Sequence, residues 1–157
     1  MSLPILAIDI DGVISLFGAD ETPDRSFTKL ELVDGVPHLI SLPCGERLQR
    51  LSAHFELVWA SGWEDKANFY LPSILGLPDL PHISFDGAAA GAAHWKLEPI
   101  ERYARGRALA WVDDNFDESC FEWAEQREQP TLLVPTETHL GLEEAHVGAL
   151  EAWVRGI

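Results

Sequence analysis

The stretch LAIDIDGVIS, Leu6 to Ser15, is an apolar run that ends in two aspartates one residue apart, followed by a glycine. Side chains alternate between the two faces of a strand, so Asp9 and Asp11 are expected to point the same way. Two carboxylates aimed at one spot repel each other unless a cation or a proton stands between them. The strand itself, read as Pro4 to Asp11, is apolar throughout and therefore buried on both faces. Strands of that kind belong to parallel sheets covered by helices.

Outward from this strand the chain alternates strand and helix almost without interruption. Phe17 to Asp24 is rich in turn formers and acids and reads as loop. TKLELVDGVPHLISL (28–42) has two alternating runs about Asp34-Gly35, the strongest short hairpin signal. A helix is expected after Pro43 with Leu48 and Leu51 facing inward, then a core strand FELVWAS (55–61). A helix over 64–75 ends at Gly76, HISF (82–85) reads as a short strand, and DGAAAGAA (86–93) as a small-residue loop. A helix over 97–105, a buried strand ALAWVDD (108–114), a helix over 118–128, the strand TLLVP (131–135) and an amphipathic helix over 142–154 complete the chain. In the last helix Val147, Leu150 and Val154 share one face.

This order predicts an α/β fold, three layers with a central, mainly parallel sheet, in a single domain over residues 1–157. A small β-hairpin flap is expected at about 26–42. Ligands of such sheets bind outside the carboxyl ends of the strands. Asp9, Asp11, Ser61, Asp113 and Asp114 all stand at strand ends, so they should converge on one rim.

The composition narrows the partners. Of 157 residues, 46% are hydrophobic and 24% charged, as in a folded globular chain. No apolar run approaches the roughly 20 residues that a membrane helix needs, and the start of the chain lacks the pattern of a secretion signal. Cys44 and Cys120 have no metal-ligand spacing and read as free thiols of a reducing, cytoplasmic setting. The net charge of −15, from 26 acids against 11 bases, repels phosphate backbones at long range and argues against tight duplex binding. A small anionic substrate is still admissible, because local charges and a bound cation decide affinity within a pocket.

Four carboxylates at one rim call for a counter-ion, and a hard, oxygen-seeking cation such as Mg²⁺ suits them together with a phosphate. Asp9 could then offer one oxygen to the metal and the other as nucleophile. Asp11 could protonate a leaving oxygen and later take a proton from water. Gly12 permits a sharp turn and brings backbone N–H groups near an anion. A D-x-D pair also occurs in sugar-transferase metal sites and in ordinary loops, but the preceding strand, the glycine and the second acidic strand end, WVDD (111–114), favour catalysis. Ser61, backed by Gly62, reads equally as a phosphate donor or as a cap for the following helix. Lys96 opens a helix, where the macrodipole disfavours a cation. It is either held by carboxylates, neutralising Asp9 and the phosphate, or solvated at the surface.

Taken in this order, the pieces resemble the haloacid dehalogenase (HAD) superfamily: DIDGV (9–13) its first motif, Ser61 its second, Lys96 its third and WVDD its acidic fourth. The resemblance spans about Leu6 to Pro135. It implies a Rossmann-like fold, an aspartyl-phosphate intermediate on Asp9, and acid/base work by Asp11. It also implies Mg²⁺ held by Asp9, the backbone carbonyl of Asp11 and the Asp113–Asp114 pair; within that pair either residue could be the direct ligand, and Asp114 is favoured, with Asp113 orienting water or Lys96. Dehalogenating members lack an aspartate at the position of Asp11, so the resemblance points to phosphate chemistry. Neither interval between motifs holds a separate cap domain, which implies an open, capless site beneath the flap.

The leading expectation is a Mg²⁺-dependent phosphomonoesterase acting on a small phosphorylated substrate, with a nucleotide among the candidates. Two alternatives stay open: a phosphatase of nucleotides or nucleic-acid ends, and a non-catalytic module that binds a phosphorylated ligand. Trp63, Trp95 and Phe116 could stack a base or aryl group near the metal, or simply pack, as Trp59 and Trp111 should within their strands. His94, beside Lys96, either assists there or lies at the surface. The remaining histidines, His38 among them, show no ligand spacing. PTETHLGL (135–142) reads as a rim loop.

Overall fold

A computed structural model of the chain describes residues 2–18, 26–86 and 93–157. The sheet at its centre contains β1 (Ile5–Ile8), β5 (Glu56–Trp59), β6 (Leu109–Asp113) and β7 (Thr131–Pro135), all parallel, in the order β5-β1-β6-β7. Every residue of β1 is fully buried. Its period of two explains why: Leu6 and Ile8 enter one half of the core, Ile5 and Ala7 the other.

The first half is closed by α1 (Pro43–Leu51), α2 (Lys66–Leu75) and α5 (Glu144–Arg155), through Leu48, Leu51, Leu71, Leu75, Val147 and Leu150. The second is closed by α3 (Leu97–Tyr103) and α4 (Glu118–Gln126), through Leu97, Ile100 and Cys120. The architecture is thus the expected three-layer α/β sandwich around a parallel sheet. Trp59 and Trp111 are buried within their strands, and both cysteines are free and buried. Among the described residues no helix is long and apolar enough to cross a membrane.

The flap is a separate antiparallel sheet, β2 (Ser15–Leu16), β3 (Thr28–Val33) and β4 (Val36–Ser41), in the order β2-β4-β3. Its turn places Asp34 at φ 52° and Gly35 at φ 82°, the two left-handed residues of a primed hairpin turn. The flap therefore has three strands where a two-stranded hairpin was expected. Its tip is latched to α2: the Asp34 carboxylate accepts from Lys66 and, at 3.1 Å, from the Tyr70 hydroxyl.

Three expectations are corrected. HISF forms only a parallel bridge from His82 to Trp59, because neighbouring backbone groups bond side chains instead of a ladder. Asn68 accepts from the Leu80 N–H and donates to the Leu80 carbonyl, while Glu64 accepts from the Phe85 N–H. The second helix starts at Lys66, since Glu64 adopts φ 51°. The closing helix starts at Glu144, behind a capping box of Glu143 and His146. Part of the loop expected over 17–24 and most of that over 86–93 lie outside the described residues.

Candidate active site

The register aligns the strand ends. Ile8 pairs with Trp59 on one side and Val112 on the other, so the residues after them emerge at one level. Asp9 lies just past β1, its N–H on the Val112 carbonyl at 3.0 Å. Asp113 ends β6 and Ser61 follows β5 by two residues. A cleft of about 240 Å³ opens there. It is lined by Asp9 and Asp11 from the first strand end, Ser61 and Gly62 from the second, Asp113, Asp114 and Asn115 from the third, and His94, Trp95 and Lys96 from the segment leading into α3.

Lys96 is the electrostatic centre. It is 4% exposed, and its ammonium lies 3.0 Å from Asp9 Oδ1 and 2.7 Å from Asp113 Oδ2 and donates to the Ala60 carbonyl at 2.9 Å. All three donor positions are occupied, so the cation opposing the dipole of α3 is held by carboxylates. Burial works against its charge, but the Asp9 and Asp113 carboxylates outweigh it and raise its pKa above the ordinary lysine value. Burial, the largest influence, pushes the Asp9 carboxyl up to about 8; Lys96 opposes the rise and Asp113 adds to it. Burial also raises Asp114.

Asp9, Asp113 and Asp114 each present a carboxylate oxygen within 4.8 Å of the others, the cluster of metal-binding type found among the described residues. The donors are hard oxygens, the chemistry a Mg²⁺-like ion takes. Asp113 is also engaged elsewhere: besides Lys96 it accepts from the Trp111 indole at 3.2 Å and from the Asn115 N–H at 3.0 Å. Asp114 is partly exposed and packs directly against Gly12. A Cβ on Gly12, which sits at φ +79°, would lie 2.6 Å from Asp114 Cβ, Cγ and Oδ2.

Two expectations about the first motif change. Asp11 does not share the Asp9 cluster, because β1 ends at Ile8 and the chain turns tightly, with the N–H groups of Val13, Ile14 and Ser15 all on the Ile10 carbonyl. The Asp11 carboxylate instead accepts from the Trp63 indole at 3.2 Å and lies 3.7 Å from His38 Nδ1. The Gly12 N–H donates to the Ser15 carbonyl at 2.7 Å and is not turned to an anion; the glycine serves the close approach to Asp114. Ser61, 2% exposed, accepts from the Trp63 N–H at 3.2 Å and caps no helix, since the residue before α2 is Asp65. Trp63 itself is partly buried against the core and is not among the residues lining the cleft.

Two participants are only weakly signalled in the sequence. Thr136 donates to the Gly12 carbonyl at 2.8 Å and its N–H bonds the Asp113 carbonyl, tying the two acidic turns together. His94 accepts from the Lys96 N–H on Nδ1 and faces the Asn115 carbonyl with Nε2 at 2.9 Å, so it is a strut beside Lys96. Only its place next to Lys96 signals this; Thr136 lies in the expected rim loop.

A parallel α/β domain with a lysine-bridged acid cluster at its strand ends has the architecture of a HAD-like hydrolase. The chain belongs to the family described as the HAD domain in Swiss Army Knife RNA repair proteins, whose model matches residues 5–147. No curated protein matches the chain.

Proposed function

We propose that the protein is a Mg²⁺-dependent phosphomonoesterase that removes the terminal phosphate from a nucleic-acid end, with RNA as the preferred polymer. The observation that carries the chemistry is the Asp9–Lys96–Asp113–Asp114 cluster with Asp11 at its edge. The description of the family supplies the substrate class. It favours a phosphorylated chain end over the small metabolite expected from the sequence. The acidic surface fits that choice if contact is confined to the terminal nucleotides, where a bound cation and Lys96 act at short range.

In this reading Asp9 attacks the phosphorus in line, the P–O ester bond breaks, and Asp11 gives its proton to the departing alkoxide. Water then attacks the aspartyl phosphate, Asp11 takes its proton, and inorganic phosphate leaves with Asp9 restored. Lys96 and the Ser61 hydroxyl neutralise phosphoryl oxygens. Asp9, Asp114 and, by family resemblance, the Asp11 backbone carbonyl would hold Mg²⁺, which when bound neutralises charge on the transferring group. Asp113, engaged by Lys96, Trp111 and Asn115, keeps the lysine in place.

The test is release of inorganic phosphate from 3′- and 5′-phosphorylated oligoribonucleotides, with Mg²⁺ and after chelation. Turnover by the wild type, lost in Asp9→Asn and on chelation, is expected. Absence of release from both ends with Mg²⁺ present would overturn the nucleic-acid-end assignment. Hydrolysis of an aryl phosphate in the same assay would then retain a phosphatase of smaller substrates.

A further inference from the structure

On the phosphoesterase reading above, we propose that Trp63 and His38 are positioning residues for Asp11, so that the flap holds the proton donor in place. Asp11 stands outside the oxygen cluster that would hold a metal, and its side chain is half exposed. A carboxyl so placed would turn freely among rotamers, and each unproductive rotamer removes it from the leaving oxygen.

Two segments restrain it. The Trp63 indole N–H donates to Oδ2 at 3.2 Å, and the Trp63 backbone is fixed by Ser61 Oγ. His38, on β4 of the flap, packs its ring edge-on to Trp63 with centroids 4.9 Å apart. Its Nδ1, 2.8 Å from Ser15 Oγ, faces Asp11 Oδ1 at 3.7 Å, too long for a hydrogen bond but close enough to wall that oxygen in. The flap is anchored at both ends, by the Ser15–Ile40 pairing at its base and the Asp34 latch at its tip. The carboxyl is thus held between an indole donor and an imidazole wall, each contributed by a different element.

The step concerned is transfer of the Asp11 proton to the leaving oxygen as the P–O bond breaks. Its weight depends on that oxygen. A ribose alkoxide is a strong base and needs the proton, whereas an activated aryl oxide leaves with little help. Steady-state rates are therefore compared for a ribose-linked phosphate and p-nitrophenyl phosphate, for wild type, His38→Ala and Trp63→Phe, the latter keeping an aromatic ring and losing the N–H. The ratio of kcat/KM on the ribose ester to kcat/KM on the aryl ester, which stops at departure of the leaving group and excludes the shared hydrolysis of the aspartyl phosphate, should fall about 10-fold in each variant, a fraction of the roughly 10²–10⁴ a general acid supplies. In an Asp11→Asn background the same substitutions should add nothing further to that ratio, as expected for residues acting through Asp11. Equal proportional losses on both esters, an unchanged ratio, or an effect that persists without Asp11 would each overturn the proposal while leaving the phosphatase reading intact. A wild type that hydrolyses neither ester would remove both.

Discussion

Replacing Lys96 with methionine tests the electrostatic arrangement at its centre. Methionine keeps much of the stem and removes the charge, and with it the contacts to Asp9 at 3.0 Å, Asp113 at 2.7 Å and the Ala60 carbonyl at 2.9 Å. Asp113, 1% exposed, becomes a buried carboxylate without a cation, and Asp9 loses the one influence that most opposes its rise. Removing one partner from a buried ion pair costs about 3–5 kcal/mol, a large share of the roughly 5–15 kcal/mol by which a domain is stable. The sign with pH follows from the carboxylates. A carboxyl whose native pKa lies above its unfolded value retains a proton that the unfolded chain has lost, so stability falls as pH rises through that window. The loss in Lys96→Met relative to wild type should therefore be small near pH 5 and grow toward pH 8. Urea unfolding at a series of pH values in metal-free buffer measures it, with an unchanged m-value showing that the same surface unfolds. A variant within about 0.5 kcal/mol of wild type at pH 8, or a deficit that grows toward acid, would refute the role assigned to Lys96.

Three further outcomes follow from the same cluster. Asp9 in the metal-free protein, pushed from 3.8 to about 8 mainly by burial, makes wild-type stability decline over that interval; Asp9→Asn cannot titrate, so it should melt higher than wild type at pH 8.5 and close to it at pH 4, while losing activity, and parallel pH slopes would contradict this. Mg²⁺ should raise the melting temperature more at pH 8 than at pH 6, where the ion must displace the Asp9 proton, and Asp114→Asn should abolish the rise; an equal or larger rise at pH 6 speaks against binding at this cluster. Gly12→Ala should destabilise by about 1–2 kcal/mol for its left-handed backbone plus about 1–3 kcal/mol for the overlap with Asp114 and should blunt the Mg²⁺ response; unchanged unfolding and metal affinity would show that the turn yields easily.

What could be read from the chain and what could not divide along the range of the interactions. Ile5 to Ile8 declares itself because a central parallel strand is apolar on both faces, and Asp34-Gly35 because a primed turn needs two left-handed residues; both signals are local. Ser15 and Leu16 look like loop since a two-residue strand exists only through its pairing with Leu39 and Ile40. The same applies to HISF, whose neighbouring backbone groups are taken by Asn68 and Glu64, side chains more than ten positions away in sequence. At the site, the acidic positions are legible because each ends an apolar run. His38 is not: its contacts with Ser15, Trp63 and Asp11 span 23 to 27 positions and arise only when the flap folds back over the first strand end. The divergence of Asp11 from Asp9 was hidden for a related reason, because alternation holds only while the strand continues, and this strand stops at Ile8.

The strand leading to Asp9 is made before both of its neighbours yet occupies an inner position, and the ribosome delivers those neighbours only some fifty and a hundred positions later. Asp9, Lys96 and Asp114 therefore cannot meet until β6 has emerged and docked. Until then the acidic centre is unassembled, and it comes into being only as the sheet closes.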